Sequence, residues 1–95
     1  MKLSTKKFKK WKISYVNEAE LDEMLSELYA KKYYLFSTTK KSPVIFDVGA
    51  LIGETALFFK DQYPGAKITA FEPSPRSFKL LKKNVSQNNI KNIRL

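Results

Sequence analysis

Residues 43–73 read PVIFDVGALIGETALFFKDQYPGAKITAFEP, and the fold is decided there. Val44, Ile45 and Phe46 form an apolar run bounded by Pro43 and closed by Asp47. Such a run fits a strand buried on both faces, as in a parallel sheet. Gly49-Ala50-Leu51-Ile52-Gly53 is a glycine-bearing turn. A helix pattern follows from Glu54 to Tyr63, and Pro64-Gly65 stops it. A second strand, Lys67 to Phe71, ends in Glu72. The unit is strand, turn, helix, strand, with an acid at the tip of each strand.

In an open parallel sheet, ligands bind beyond the carboxyl ends of the strands, where Asp47 and Glu72 both fall. Glycines at 49 and 53 omit side chains where the backbone turns sharply and approaches a ligand. Glu72 lies roughly 20 residues past the glycine turn, where nucleotide-binding units place the acid that accepts the ribose hydroxyls. A carboxylate there repels a 2′-phosphate. No Gly-Lys-Ser/Thr follows the glycines, so nothing is built to grip a triphosphate. The dinucleotide fingerprint fits poorly, because Leu51 and Glu54 stand where its second and third glycines should be. A ligand without phosphates suits this turn better. S-adenosylmethionine is one: its ribose needs an acid, and its sulfonium and ammonium tolerate carboxylates such as Asp47.

VIFDVGALIGETALFF (44–59), followed by AFEPSPRSFKLLKKNVSQNNIKNIRL (70–95), resembles the start of the FkbM-type methyltransferases, within the class I S-adenosylmethionine-dependent methyltransferases. The likeness covers Pro43 to Leu95 and weakens back to about Glu18. Glycine turn, Phe-Glu-Pro tripeptide and following helix agree in spacing. Leu51 departs from the pattern, which usually has Asn there. The resemblance implies that Asp47, Gly49, Ala50, Gly53, Glu72, Pro73 and Ser74 bind the cofactor. Gly49 and Gly53 would shape the turn, and Asp47 would orient it and the methionine amino end. Glu72 would hold the ribose, and Pro73 and Ser74 would flank the adenosine. The reaction implied is O-methylation of a sugar or small metabolite, with a small-molecule or glycan acceptor. No catalytic residue is assigned and no metal is expected.

Ninety-five residues allow one small domain. There is no cysteine and no histidine, which removes disulfides, thiol nucleophiles and the usual general base and metal ligand. No apolar run approaches the roughly 20 residues of a membrane span, and the basic N-terminus lacks a secretory h-region. A cytoplasmic protein is expected. The net charge of +9 invites a nucleic-acid reading. The cations are nearly all lysine, with only Arg76 and Arg94 as arginines, and arginine is the base-reading residue. A nucleic-acid partner is therefore not expected.

Met1 to Lys12 holds six lysines and no acid, and reads as a solvated, partly disordered arm with Phe8 and Trp11 docked on the body. Trp11 to Val16 alternates like a short strand. Asn17 is a candidate N-cap for an amphipathic helix over 18–32, with Leu21, Met24, Leu25, Leu28 and Tyr29 as its apolar stripe. Tyr33 and Tyr34 read as packing residues, and 37–42 as a polar connector. Ser74 and Pro75 start a further helix with Phe78, Leu81 and Val85 as its buried stripe. Thr55 reads as a capping residue. Ile93 to Leu95 begins a third strand.

The expected architecture is α/β: a partial Rossmann-like parallel sheet, β-α-β-α and the start of a third strand, preceded by a helical extension. Residues 1–42 form that extension, and 43–95 form the first half of an S-adenosylmethionine-binding domain. The class it resembles has seven strands with helices on both faces. The open sheet edge is a place for self-association or for a missing C-terminal half. Two other readings stand beside this one. One is a non-catalytic nucleoside-binding or protein-interaction module of the same partial fold. The other is a lysine-rich nucleic-acid-binding domain.

Overall fold

The computed structural model describes residues 2–95, so of the basic arm only Met1 lies outside it. A hairpin of β1 (Ser4–Phe8) and β2 (Trp11–Tyr15) comes first. Helix α1 (Glu18–Leu25) follows and widens into a π-helical segment, Ser26–Ala30. Then come β3 (Val44–Val48), α2 (Glu54–Gln62), β4 (Lys67–Phe71), α3 (Pro75–Gln87) and the short β5 (Ile93–Arg94). Strands β3, β4 and β5 make a parallel sheet in that order, with Val44 beside Lys67, Val48 beside Phe71 and Ile68 beside Ile93. The mixed α/β architecture with three parallel strands is the expected one.

Local chemistry sets the element ends. The Asn17 side chain accepts from the Glu20 N–H at 3.1 Å and starts α1. Ser74 accepts from the Ser77 N–H and Pro75 opens α3. Gly53, at φ +107°, stands at the N-cap of α2, a conformation that only glycine adopts freely.

Every helix lies on one face of the sheet. Ile45 and Ile68 pack against Phe58 and Phe59 of α2 and Leu28 of the π segment. Ala70 packs against Leu81 of α3. A second cluster joins Trp11 and Ile13 of the hairpin, Leu21 and Leu25 of α1, and Leu57 of α2. Helix α2 is thus shared by both clusters, and Glu54 to Lys60 are all buried. Burying a Phe or Leu side chain contributes roughly 1.5–3 kcal/mol, so this helix holds much of the fold's hydrophobic stabilisation.

The structure corrects five expectations. β3 is not buried on both faces: Val44, Phe46 and Val48 are 68%, 70% and 79% exposed, because no described helix covers the second face. The basic arm is a strand, not a solvated tail. Its Ser4, Lys6 and Phe8 turn inward, Lys6 pairs with Glu18 (3.0 Å) and Asp22 (2.7 Å), and Phe8 meets the Tyr29 ring at 5.0 Å. Lysine stems lie along apolar surface while their charges stay wet, which hid a period-2 pattern inside a charge run. The helix expected over 18–32 keeps α geometry only to Leu25 and ends after Ala30, with Lys32 at φ +55°. Tyr33 and Tyr34 are exposed rather than packed; Phe36 is the ring that docks, stacked on Tyr63 at 4.2 Å. In α3 the fully buried positions are Leu81 and Asn84, with Leu80 nearly so, while Phe78 and Val85 are half-buried.

The connector is pinned from behind. A Cβ on Gly65 would lie 2.1 Å from the Lys41 carbonyl oxygen, so the turn before β4 and the connector touch backbone to backbone. Gly65→Ala is expected to destabilise the fold by about 1–3 kcal/mol through overpacking. Urea unfolding measures this, and a change below about 0.5 kcal/mol would show that the contact does not constrain the chain.

Candidate functional site

The residues at the carboxyl ends of β3 and β4 form one hydrogen-bonded knot. The Gly49 and Ala50 N–H groups both donate to the Phe71 carbonyl, at 2.8 and 3.0 Å, which stitches the glycine turn to the end of β4. Gly49 holds φ +81° and a Cβ there would meet nothing within 4 Å, so the space over it is open. Ala50 is fully buried, and its carbonyl accepts from Gly53 at 2.9 Å. Gly53 is constrained twice: by its φ, and by Leu81 Cδ1, which would lie 3.3 Å from an added Cβ.

Glu72 closes the knot. Oε1 accepts from the Leu51 N–H at 2.8 Å and Oε2 from the Ser74 N–H at 3.0 Å. A carboxylate has about four lone-pair positions, so half of its capacity remains for a ligand. Pro73 and Ser74 are exposed beside it and lead into α3. Asp47 is buried and accepts a hydrogen bond from the Thr55 hydroxyl. Burial pushes its carboxyl above the usual range; the Thr55 bond opposes this and the Glu72 charge adds to it. The knot therefore brings together Asp47, Gly49, Ala50, Gly53 and Glu72, with Pro73 and Ser74 at its rim.

Three residues to which the sequence assigned no place in the site belong to this knot. Thr55 holds Asp47 rather than capping α2. Glu54 is buried at the start of α2, where its Oε1 accepts from the Ile52 N–H at 3.1 Å. Burial raises its pKa too, against hydrogen bonds from neighbouring backbone N–H groups. Asn84 donates to the Ile52 carbonyl at 2.7 Å. A usable signal existed for Asn84: with Gln87 and Asn88 it repeats amides at i, i+3 and i+4 beside the apolar stripe.

A cavity of about 630 Å³ opens against the knot on its α1 side. Leu51, Ile52, Glu54 and Ser74 line one wall, and Leu21 and Met24 of α1 line the other. That size falls within the range of small-molecule sites. Asp47 and Glu72 stand outside its lining. Among the described residues no group of three or more acids could hold a metal ion, and no helix is long and apolar enough to cross a membrane.

A parallel β-α-β unit with a glycine turn and a carboxylate at each strand tip defines the class: a Rossmann-like α/β sheet. No protein-family model matches the chain. The chain is 34% identical over 79 residues to the methyltransferase sdnD of Sordaria araneosa, covering 81% of this chain and 30% of that protein. It is 34% identical over 80 residues to the 31-O-demethyl-FK506 methyltransferase FkbM of Streptomyces tacrolimicus, covering 82% of this chain and 31% of that one. The chain therefore spans about a third of the length of these relatives. The fold matches that of Pyrococcus horikoshii TYW2, solved in complex with MeSAdo, with a TM-score of 0.67 and 20% identity over 97% of this chain and 34% of that one. Over these residues the chain is similar to FkbM and other methyltransferases.

Two outcomes test the site's physics. Leu51 sits at φ +52°, a left-handed conformation that costs most L-residues about 1–2 kcal/mol but that Asn tolerates. Leu51→Asn is expected to stabilise the fold by about 0.5–1 kcal/mol, read from the urea midpoint; an unchanged or lower midpoint contradicts it. The second concerns pH. Asp47 has a folded-state pKa above its unfolded value, so its stabilising contribution is full at low pH and falls as pH rises through the folded value. Asp47→Asn removes that titration. Its melting temperature relative to wild type should therefore rise between about pH 4 and about pH 7. An equal difference at both pH values would mean that Asp47 ionises as freely folded as unfolded.

Proposed function

We propose that this chain is the S-adenosylmethionine-binding portion of an FkbM-type methyltransferase acting on a hydroxyl of a sugar or small metabolite. The observation that carries this reading is the open space over Gly49, set between two carboxylates at adjoining strand tips. Glu72 keeps acceptor capacity for a pair of ribose hydroxyls. Asp47 is costly to ionise in its dry position, and a cationic ligand alongside relieves that cost. An anionic pyrophosphate would add to it. When bound, S-adenosylmethionine supplies a methyl group activated on a sulfonium. The chain's own contribution is to bind and orient, through Asp47, Gly49, Ala50, Gly53, Glu72, Pro73 and Ser74. The relatives named above, methyltransferases with one FkbM among them, support the same reading.

On this reading residues 43–95 are the cofactor half and residues 1–42 brace it. The bare face of the sheet and its open edge are where the polypeptide equivalent to the rest of the relatives packs, bringing the acceptor site with it. A second reading is favoured by the exposed Val44, Phe46, Val48 and Phe71: a non-catalytic module of this fold that binds a partner through that face.

Calorimetry with S-adenosylhomocysteine, the demethylated product, tests the ligand. Hydrogen bonds to a charged acceptor contribute roughly 1.5–3 kcal/mol, so Glu72→Gln is expected to weaken binding about tenfold or more. NAD should bind more weakly than S-adenosylhomocysteine. If Glu72→Gln binds as well as wild type, or NAD binds more tightly, the cofactor assignment is wrong.

A further inference from the structure

Asn84 is fully buried, and every hydrogen-bonding position of its amide is filled. Oδ1 accepts from the Ser14 N–H at 2.8 Å and from the Gln87 side-chain amide at 2.8 Å. Nδ2 donates to the Ser14 carbonyl at 3.1 Å and to the Ile52 carbonyl at 2.7 Å. A primary amide offers two acceptor and two donor positions, so none is left over. Ser14 lies in β2 and Ile52 in the glycine turn. One side chain therefore binds the hairpin and the turn at once.

The hairpin depends on this contact for its second edge. β2 pairs with β1 on one side. On the other side its backbone groups are met by α3: Lys12 N–H donates to Asn88 Oδ1 at 2.8 Å, and Gln87 and Asn88 both donate to the Lys12 carbonyl at 2.9 Å. An unpaired strand edge is costly to bury, and three amides at helical spacing serve here in place of a strand.

The turn depends on it as well. Leu51 is held in the left-handed region, and such backbone persists only where its surroundings over-determine it. Two anchors do so. Glu72 takes the Leu51 N–H from the sheet side, and Asn84 gives to the Ile52 carbonyl from the helix side. Gly53 completes the contact, since a Cβ there would lie 3.7 Å from Asn84 Cβ.

We propose that Asn84 is a positioning residue that couples the N-terminal hairpin to the glycine turn. The turn keeps its ligand-ready shape only while the Asn84 amide bridges Ser14 of β2 and the Ile52 carbonyl, so the hairpin acts on the cofactor site through Ser14 without touching the cofactor. The ligand in this statement rests on the S-adenosylmethionine reading; the coupling itself does not.

The test compares three full-length variants with wild type by thermal melting, by amide hydrogen exchange over residues 49–53, and by titration with S-adenosylhomocysteine. Asn84→Asp keeps the shape and the acceptor for Ser14 N–H, but turns both donated bonds into oxygen facing oxygen. Trp11→Phe loosens the hairpin elsewhere, by removing its 2.8 Å bond to Asp61, and leaves Asn84 alone. Gln87→Ala removes the support behind Asn84 Oδ1 together with the bonds to the Lys12 carbonyl and the Ser14 hydroxyl, but leaves both bonds that Asn84 donates, and replaces Asn84→Asp as the deciding variant where that protein does not fold. Asn84→Asp is expected to speed exchange in the turn and to weaken binding, each about tenfold or more. Gln87→Ala should act in the same sense, by about two- to fivefold. Trp11→Phe should leave turn exchange and affinity within about twofold even where it lowers the melting temperature as much. Unchanged turn exchange in the deciding variant overturns the proposal, and so does a Trp11→Phe effect on the turn as large as that of Asn84→Asp. If exchange responds as expected while wild type itself takes up no S-adenosylhomocysteine, the positioning role stands and the cofactor reading falls.

Discussion

The molecule depends on one helix being buried on every side. Seven consecutive residues of α2, Glu54 to Lys60, are cut off from solvent, so the helix must find apolar partners all round and internal partners for each polar group it carries. Phe58 and Phe59 meet the sheet, and Leu57 meets the hairpin and α1. Thr55 donates to Asp47, Glu54 accepts from the Ile52 N–H, and the Lys60 ammonium donates to the Ala66 carbonyl. Burial lowers the Lys60 pKa accordingly. Among the described residues no buried side-chain polar atom is left without a partner. An unpaired buried polar group costs roughly 1–3 kcal/mol, so this completeness is a condition of the fold. Asp61, one step on, closes the same surface by accepting from both Trp11 and Tyr29. Burial first, and then that bond, hold the Tyr29 hydroxyl above its usual pKa.

The site inherits its properties from that helix. The chain enters α2 through a turn with three left-handed residues, Gly49, Leu51 and Gly53. Phe71, Glu72, Glu54 and Asn84 together hold the backbone groups of that turn. The same closeness dries Asp47 and places a second carboxylate near it. Two acids so placed favour a ligand that brings positive charge, and the glycine between them leaves room for it to approach. Glu72 is thus structural, and on the proposed reading the carboxylate that braces the turn is also the one offered to a ribose.

One-sidedness is the other consequence. With all the helices gathered around α2, the opposite face of the sheet presents Val44, Phe46, Val48 and Phe71 to solvent. Parallel sheets are found almost always with both faces covered. The apolar character of β3 on both faces is therefore a property of the sequence that the described residues satisfy on one face only.

The sequence by itself determined the β-α-β unit, its glycine turn, the acids at both strand tips and the caps at Asn17 and Ser74. Each of these is a local decision: hydrophobic period, a residue able to take positive φ, or a side chain within reach of its own backbone. It did not show the first strand, because six lysines in twelve residues read as solvated charge until the partners Glu18 and Asp22 are set beside Lys6. It showed Asn84 only as one of three amides, with Gln87 and Asn88, at helical spacing in an amphipathic helix. Whether an asparagine faces water or joins two distant backbones is settled by what lies across from it, and Ser14 and Ile52 are 70 and 32 residues away. Only the tertiary structure decided which face of β3 is covered and that Glu72 holds the turn it was expected to serve. Hydrophobic pattern says that a surface must be buried, whereas chain topology alone says what arrives to bury it.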